Sequence, residues 1–239
     1  FEADRWYLDV YDRASGAKRT VFESPDLSVD DFKLSPDGNT IWFTAAQNAA
    51  ANLFTVPLAG GTPTLVRKGG AIGEVQPGSG FAVYSQSRLT APAELFRIAG
   101  GAEVQITREN AAWANAVEAS SVTSTTVPGA GNTPVQYFVV KPPHFDAAKK
   151  YPVVMMIHGG PQGDWHDGWS SRWNPALWAA QGWVVAMPNP RGSTGFGQKF
   201  VDEISQDWCG KVMTDLDAVF TAATKLPYVD GSRQAIAGA

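Results

Sequence analysis

The chain is poor in the residues that cross-link a fold, ligate metals or hold polyanions. It has one cysteine, Cys209, in 239 residues, which excludes an internal disulfide framework and a cysteine-based zinc site. Only 18% of the residues are charged, no Lys/Arg-rich run occurs and the net charge is −4, which argues against nucleic-acid and membrane-surface partners. No apolar run approaches the ~18 residues of a membrane span. The first ten residues lack the charged start and apolar core of a signal peptide and read as the middle of a strand. With 44% hydrophobic residues, global disorder is excluded as well.

Turn-formers, by contrast, are plentiful: 24 Gly and 16 Pro, too many for a long helical bundle. In the first half they punctuate a repeat. Leu53-Phe54-Thr55-Val56, Gly60-Gly61 and Thr64-Leu65-Val66 are echoed by Leu95-Phe96-Arg97-Ile98, Gly100-Gly101 and Val104-Gln105-Ile106. An earlier copy runs Leu8-Asp9-Val10-Tyr11, Ser15-Gly16 and Thr20-Val21-Phe22, and Ser35-Pro36-Asp37-Gly38 supplies tight-turn chemistry between copies. The period of roughly 40–45 residues is that of a four-stranded propeller blade. An antiparallel sandwich also has evenly spaced short strands, but the in-phase return of hairpin and turn favours blades. About two and a half blades fit, whereas closure needs at least four, so the array is expected to begin before Phe1.

The grammar changes in the second half. Residues 1–112 read as partial propeller, 113–134 as a small, polar, turn-rich connection, and 135–239 as the first part of an α/β hydrolase domain. The overall class is multi-domain, β followed by α/β. Val135–Val140 reads as a strand, and Tyr151–Ile157 and Trp183–Pro188 are continuous apolar runs, the mark of strands covered on both faces. A helix is expected over Arg172–Gln181 with Gly182 at its C-cap, and a second over Val212–Lys225 with Val212, Leu216, Val219, Phe220 and Ala223 on one face.

Three local features carry chemistry. His158-Gly159-Gly160-Pro161 follows a buried strand, where glycines let a backbone N–H of Gly160 or Gly159 approach a tetrahedral oxyanion. Arg191-Gly192-Ser193-Thr194-Gly195-Phe196-Gly197 does not fit a dinucleotide or phosphate loop, so no nucleotide cofactor is expected; Arg191 either contacts substrate or forms a structural salt bridge. The terminal Ile236-Ala237-Gly238-Ala239 reads as a strand closing on the first two residues of a Gly-x-Ser-x-Gly elbow. No metal site is expected.

From about Val140 to Ala239 the sequence resembles the catalytic domain of the prolyl oligopeptidase family of serine peptidases, on the side of its acylaminoacyl-peptidase and dipeptidyl-peptidase 5-like members. The motifs are Lys141-Pro142-Pro143, His158-Gly159-Gly160-Pro161-Gln162-Gly163, Trp173-Asn174-Pro175, the Arg191–Gly197 loop, Asp207-Trp208-Cys209-Gly210-Lys211 and Asp215-Leu216-Asp217. The resemblance implies Ser-Asp-His chemistry without a cofactor, the serine following Ala239 and the Asp and His later still. His144, His158 and His166 precede the elbow, so none is expected to be the base, and His158 is expected to be structural. It also implies a propeller that caps the site, a peptide substrate and contact with the remainder of the same protein. Phe200 is a candidate wall of the pocket for the residue before the cleaved bond. Trp208, with the other tryptophans of this half, is a candidate apolar contact or core residue. Cys209, where relatives commonly carry glycine, is expected to be a buried small residue. An esterase on the same fold, or a propeller binding protein with a decayed hydrolase domain, are the competing readings. Homo-oligomerisation and localisation stay open.

Overall fold

A computed structural model describes residues 3–238. The end of the expected elbow, Ala239, lies outside the described residues. The first half opens with a two-stranded hairpin, β1 (Asp9–Tyr11) and β2 (Lys18–Thr20), and continues as two four-stranded antiparallel meanders. The first comprises β3 (Val29–Leu34), β4 (Thr40–Ala46), β5 (Ala51–Pro57) and β6 (Thr64–Arg67); the second β7 (Ala71–Gly78), β8 (Phe81–Arg88), β9 (Ala91–Ala99) and β10 (Ala102–Gln105). One parallel bridge, Ala51 to Ala71, joins them. The expected Pro-Asp-Gly turn links β3 to β4: Gly38 sits at φ +74 and its N–H donates to the Ser35 carbonyl, while Asp37 accepts from Ser35 Oγ and from the N–H of Asn39. Phe22, Phe43 and Phe54 stack in series at 5.3 Å between centroids, tying the first hairpin to the first meander.

A short helix, α1 (Ala111–Ala116), leads to the second half, a five-stranded mixed sheet. Its strands are β11 (Ser121–Pro128), β12 (Pro134–Lys141), β13 (Tyr151–Ile157), β14 (Val184–Asn189) and β15 (Val229–Gly238), in the spatial order β11-β12-β14-β13-β15. The helices are α2 (Pro175–Ala180), α3 (Gln198–Asp202) and α4 (Lys211–Thr224). β13, β14 and β15 are parallel, and β11 and β12 form an antiparallel hairpin at the edge.

The apolar run of β13 splits by pleat. Val153 and Met155 meet Val212, Leu216, Val219 and Ala223 of α4 on one face. Val154 and Met156 meet Ala179 of α2, with Trp165, Trp173 and Trp178 packed around them, on the other. Each such buried side chain stabilises the fold by roughly 1.5–3 kcal/mol. Ala49 and Leu89 of the first half belong to that second cluster, so the two halves share a core. α2 begins at Pro175, later than the sequence suggests. A residue before proline is pushed out of the helical region, and Asn174 instead caps the helix, accepting from the Ala176 N–H at 2.9 Å. Its end is as expected, with Gly182 at φ +85.

Candidate active site

The C-terminal ends of β13 and β15 lie side by side, with Ile157 opposite Gly238. A side chain at Gly238 would fall against the Ile157 carbonyl oxygen, so only glycine lets the end of β15 run so close to β13. The segment 158–169 leaves β13 here. Gly159 and Gly160 are exposed, and neither N–H donates to any group among the described residues. Gly160 has φ +137, and a Cβ there would stand 2.6 Å from the Gln162 nitrogen, so the position requires glycine. His158, Gly159 and Gly160 border an open groove of about 400 Å³ whose other walls include Trp165, Arg172 and Trp173.

Behind this segment stands the Arg191–Gly197 loop. Thr194 N–H donates to the Gly163 carbonyl at 2.9 Å, and Ser193 Oγ lies 2.9 Å from His158 Nε2. Arg191 is buried by its ion pair with Asp215 (Nη1–Oδ1 2.5 Å), donates from Nε to Glu203 and from Nη2 to the Ala130 carbonyl. Of the two readings of Arg191, the structural salt bridge is the geometry observed: at 2% side-chain exposure it does not stand on a substrate-facing surface. The hydrogen bond from Arg191, helped by the nearby Lys211 charge, in turn holds the Glu203 carboxyl below its usual range.

The other expected residues scatter. Phe200 is buried, 5.4 Å from the ring of Phe196 and under the Arg191 guanidinium. Trp208 is 65% exposed. Cys209 is exposed, which corrects the expectation of a buried small residue: the turns before α4 hold residues 205–211 at the surface. His144 pairs with Glu118 at the surface, away from this face.

Sequence reasoning missed how the first half grips segment 158–169. Asp167 Oδ2 accepts from Arg88 at 2.8 Å, its Oδ1 from the Leu89 N–H at 3.0 Å, and its N–H donates to the Ala49 carbonyl. Trp169 N–H donates to Ser87 Oγ at 3.1 Å. Beside them, Asp164 holds His166 Nδ1 at 2.9 Å, which raises the imidazole above its ordinary range. The Asp164 side chain is 9% exposed and its Oδ2 has no hydrogen-bond partner. Asp30 of the first half faces this pair. It is open to the cleft, yet crowding by protein, followed by the Asp164 charge, lifts its carboxyl to about 6. The partners lie far apart in sequence, and no local pattern signals them. A cavity of about 220 Å³ bounded by Asp26, Asp30, Gln162, Thr194 and Gln198 separates the halves here. Among the described residues no group of three or more His, Cys, Asp or Glu is placed to hold a metal ion, and no helix is long and apolar enough to cross a membrane.

Comparison with known proteins matches these elements to one group. The model of the prolyl oligopeptidase family matches residues 169–239. Dipeptidyl-peptidase 5 of Arthroderma otae is 34% identical over 249 aligned residues, taking in 100% of this chain and 34% of that protein. The chain thus spans about a third of the length of the curated relatives it matches. The uncomplexed acylaminoacyl peptidase of Pyrococcus horikoshii superposes with a TM-score of 0.86 at 22% identity, over 99% of this chain and 36% of the other. An acylaminoacyl peptidase in complex with Z-Gly-Gly-Phe-chloromethyl ketone gives the same TM-score, 0.86, identity, 22%, and coverage, 99% and 36%. At that identity the structural likeness speaks for the fold, while the sequence match over the whole chain speaks for descent. The chain belongs to the prolyl oligopeptidase family.

Proposed function

We propose that the protein to which this chain belongs is a serine peptidase acting on short peptides, as an oligopeptidase or as an exopeptidase releasing dipeptides or acylated amino acids. In this reading the meanders of the first half are blades of a β-propeller that limits access to the site. The nucleophilic serine directly follows Ala239, and the Asp and His of the triad stand later in the chain. The serine Oγ attacks the peptide carbonyl carbon while the histidine takes the hydroxyl proton. The oxygen of the tetrahedral intermediate, now an anion, is held by the N–H of Gly160 and by that of the residue after the serine. Collapse expels the amine, protonated by the histidine, and water then releases the acyl group by the same route. Residues 1–239 supply one wall of this site and one of its two oxyanion donors.

The observation that carries the reading is the unpartnered N–H of Gly160, exposed at the end of β13 and beside the end of β15. The relative in complex with Z-Gly-Gly-Phe-chloromethyl ketone supports a peptide as the ligand class. Phe200 and Trp208 are secondary: Phe200 backs the loop and Trp208 offers an exposed indole. Turnover of aminoacyl, dipeptidyl and acyl-aminoacyl anilides, measured beside short-chain esters with the whole protein, tests the assignment. Hydrolysis of the anilides is expected. Hydrolysis of esters alone would make the protein an esterase.

A further inference from the structure

A chain of polar contacts runs from the core of the second half to the exposed glycines. His158 reaches two ways: Nδ1 lies 2.9 Å from the Gly159 carbonyl oxygen and Nε2 lies 2.9 Å from Ser193 Oγ. Ser193 has 0% exposure, and its N–H and its Oγ both point to the Pro190 carbonyl, at 3.0 and 2.6 Å. The next residue, Arg191, donates its backbone N–H to Asp215 Oδ2 at 3.0 Å. The far end of the chain is therefore α4, fixed by the buried ion pair.

The near end decides where a backbone donor points. A carbonyl oxygen only accepts, so the Gly159 contact requires the proton to be on Nδ1 of His158. The Gly159–Gly160 peptide is trans, and in a planar trans peptide the C=O and the following N–H point in opposite directions. Holding the Gly159 oxygen against His158 therefore turns the Gly160 N–H away from the imidazole, where it meets no protein acceptor. The Gly159 N–H lies in the preceding peptide, outside this grip.

We infer that Ser193 is a positioning residue for the oxyanion donor: through Nε2 it fixes the His158 ring, and the ring fixes the peptide that presents the Gly160 N–H. The inference rests on the reading of Gly160 as that donor. It also gives the buried hydroxyl a reason to be there. With Nδ1 protonated, neutral His158 offers Nε2 as an acceptor, and Ser193 carries one proton for two acceptors, Nε2 and the Pro190 oxygen. Alanine would keep the volume nearly unchanged but leave Nε2 without a partner and the ring free to turn.

The test is kinetic and uses the whole protein. Ser193→Ala is expected to lower kcat about tenfold, less than outright loss of a donor, with KM changed less than about twofold. Ser193→Thr, which keeps the hydroxyl, is expected to recover most of kcat. A Ser193→Ala protein with wild-type kcat, or a loss that threonine does not recover, would overturn the inference. Nitrogen-15 spectra of selectively labelled wild-type protein give an answer that needs no variant: His158 protonated at Nδ1 supports the inference, and the Nε2–H tautomer overturns it. Gly160→Ala separates the two levels. If that variant keeps full kcat, the donor reading itself fails; if it loses kcat while Ser193→Ala does not, only the positioning role fails.

Discussion

Arg191 and Asp215 form an ion pair in which neither side chain exceeds 2% exposure, and the Arg191–Gly197 loop behind the candidate site is anchored by it. Asp215, from the second turn of α4, accepts from the N–H groups of Arg191 and Ala130 as well as from the guanidinium. It thus pins the Arg191–Gly197 loop and the turn between β11 and β12 to one helix. Removing one member of such a pair leaves an uncompensated buried charge and lost backbone acceptors.

Asp215→Ala is expected to cost about 3–5 kcal/mol of stability in urea unfolding of the whole protein. Arg191→Lys should not be benign, because an ammonium cannot serve Asp215, Glu203 and the Ala130 carbonyl from one plane. A loss below about 1 kcal/mol for Asp215→Ala would place the pair among ordinary surface contacts.

Gly160→Ala meets both a positive φ and the Gln162 nitrogen at 2.6 Å, so the loop must shift to admit the methyl group. A displaced donor should lower kcat roughly 10²-fold, with a smaller change in KM. Peptide-anilide kinetics check this.

Asp30 makes the contact between the halves sensitive to pH. Its carboxyl sits at about 6 in the fold against an ordinary 3.8, so between those values the folded chain binds more protons than the unfolded one. The stability Asp30 contributes is therefore lost as pH rises from about 3.8 towards about 6. Asp30→Asn, which cannot ionise, is expected to melt above the wild type at pH 7 and level with it near pH 3.5. The cleft admits water, which keeps the difference modest. A melting difference independent of pH would contradict the assignment.

The Arg88–Asp167 pair is partly exposed, at 46% and 26%, so its charge interaction is worth at most about 1 kcal/mol. The larger role of Asp167 is to receive the Leu89 N–H. Asp167→Ala should speed hydrogen exchange at Leu89 and along residues 158–169 while leaving exchange within β13 unchanged. Unaltered exchange at Leu89 would show that the hydrogen bond does not hold the halves together.

What was legible in the sequence follows from where the information lies. β13 and β14 carry consecutive apolar residues because both faces are covered, and α4 shows its buried face at helical spacing; each signal sits within a dozen residues. β11 hid because it is an edge strand with no buried residue, and its Ser/Thr composition reads as a connection. Asn174 and Pro175 shortened α2 through capping chemistry that hydropathy does not weigh. The glycines of the site were legible as a motif. Their support was not: Ser193 meets His158 across 35 residues, and Asp167 meets Arg88 across 79. Such contacts are made by sheet order and by packing of one half on the other, which no local spacing encodes. Cys209 shows the converse, where a motif position suggested burial and the turn before α4 left the thiol in solvent.

The central claim is that the ends of β13 and β15 form one wall of a serine-peptidase site. Reaction of the whole protein with a fluorophosphonate, followed by peptide mass spectrometry, tests it most directly. The account predicts a single phosphonylated serine immediately after Ala239, with peptide hydrolysis lost in step with labelling. Labelling of a serine elsewhere in the chain, or full hydrolytic activity after labelling at that position, would contradict it.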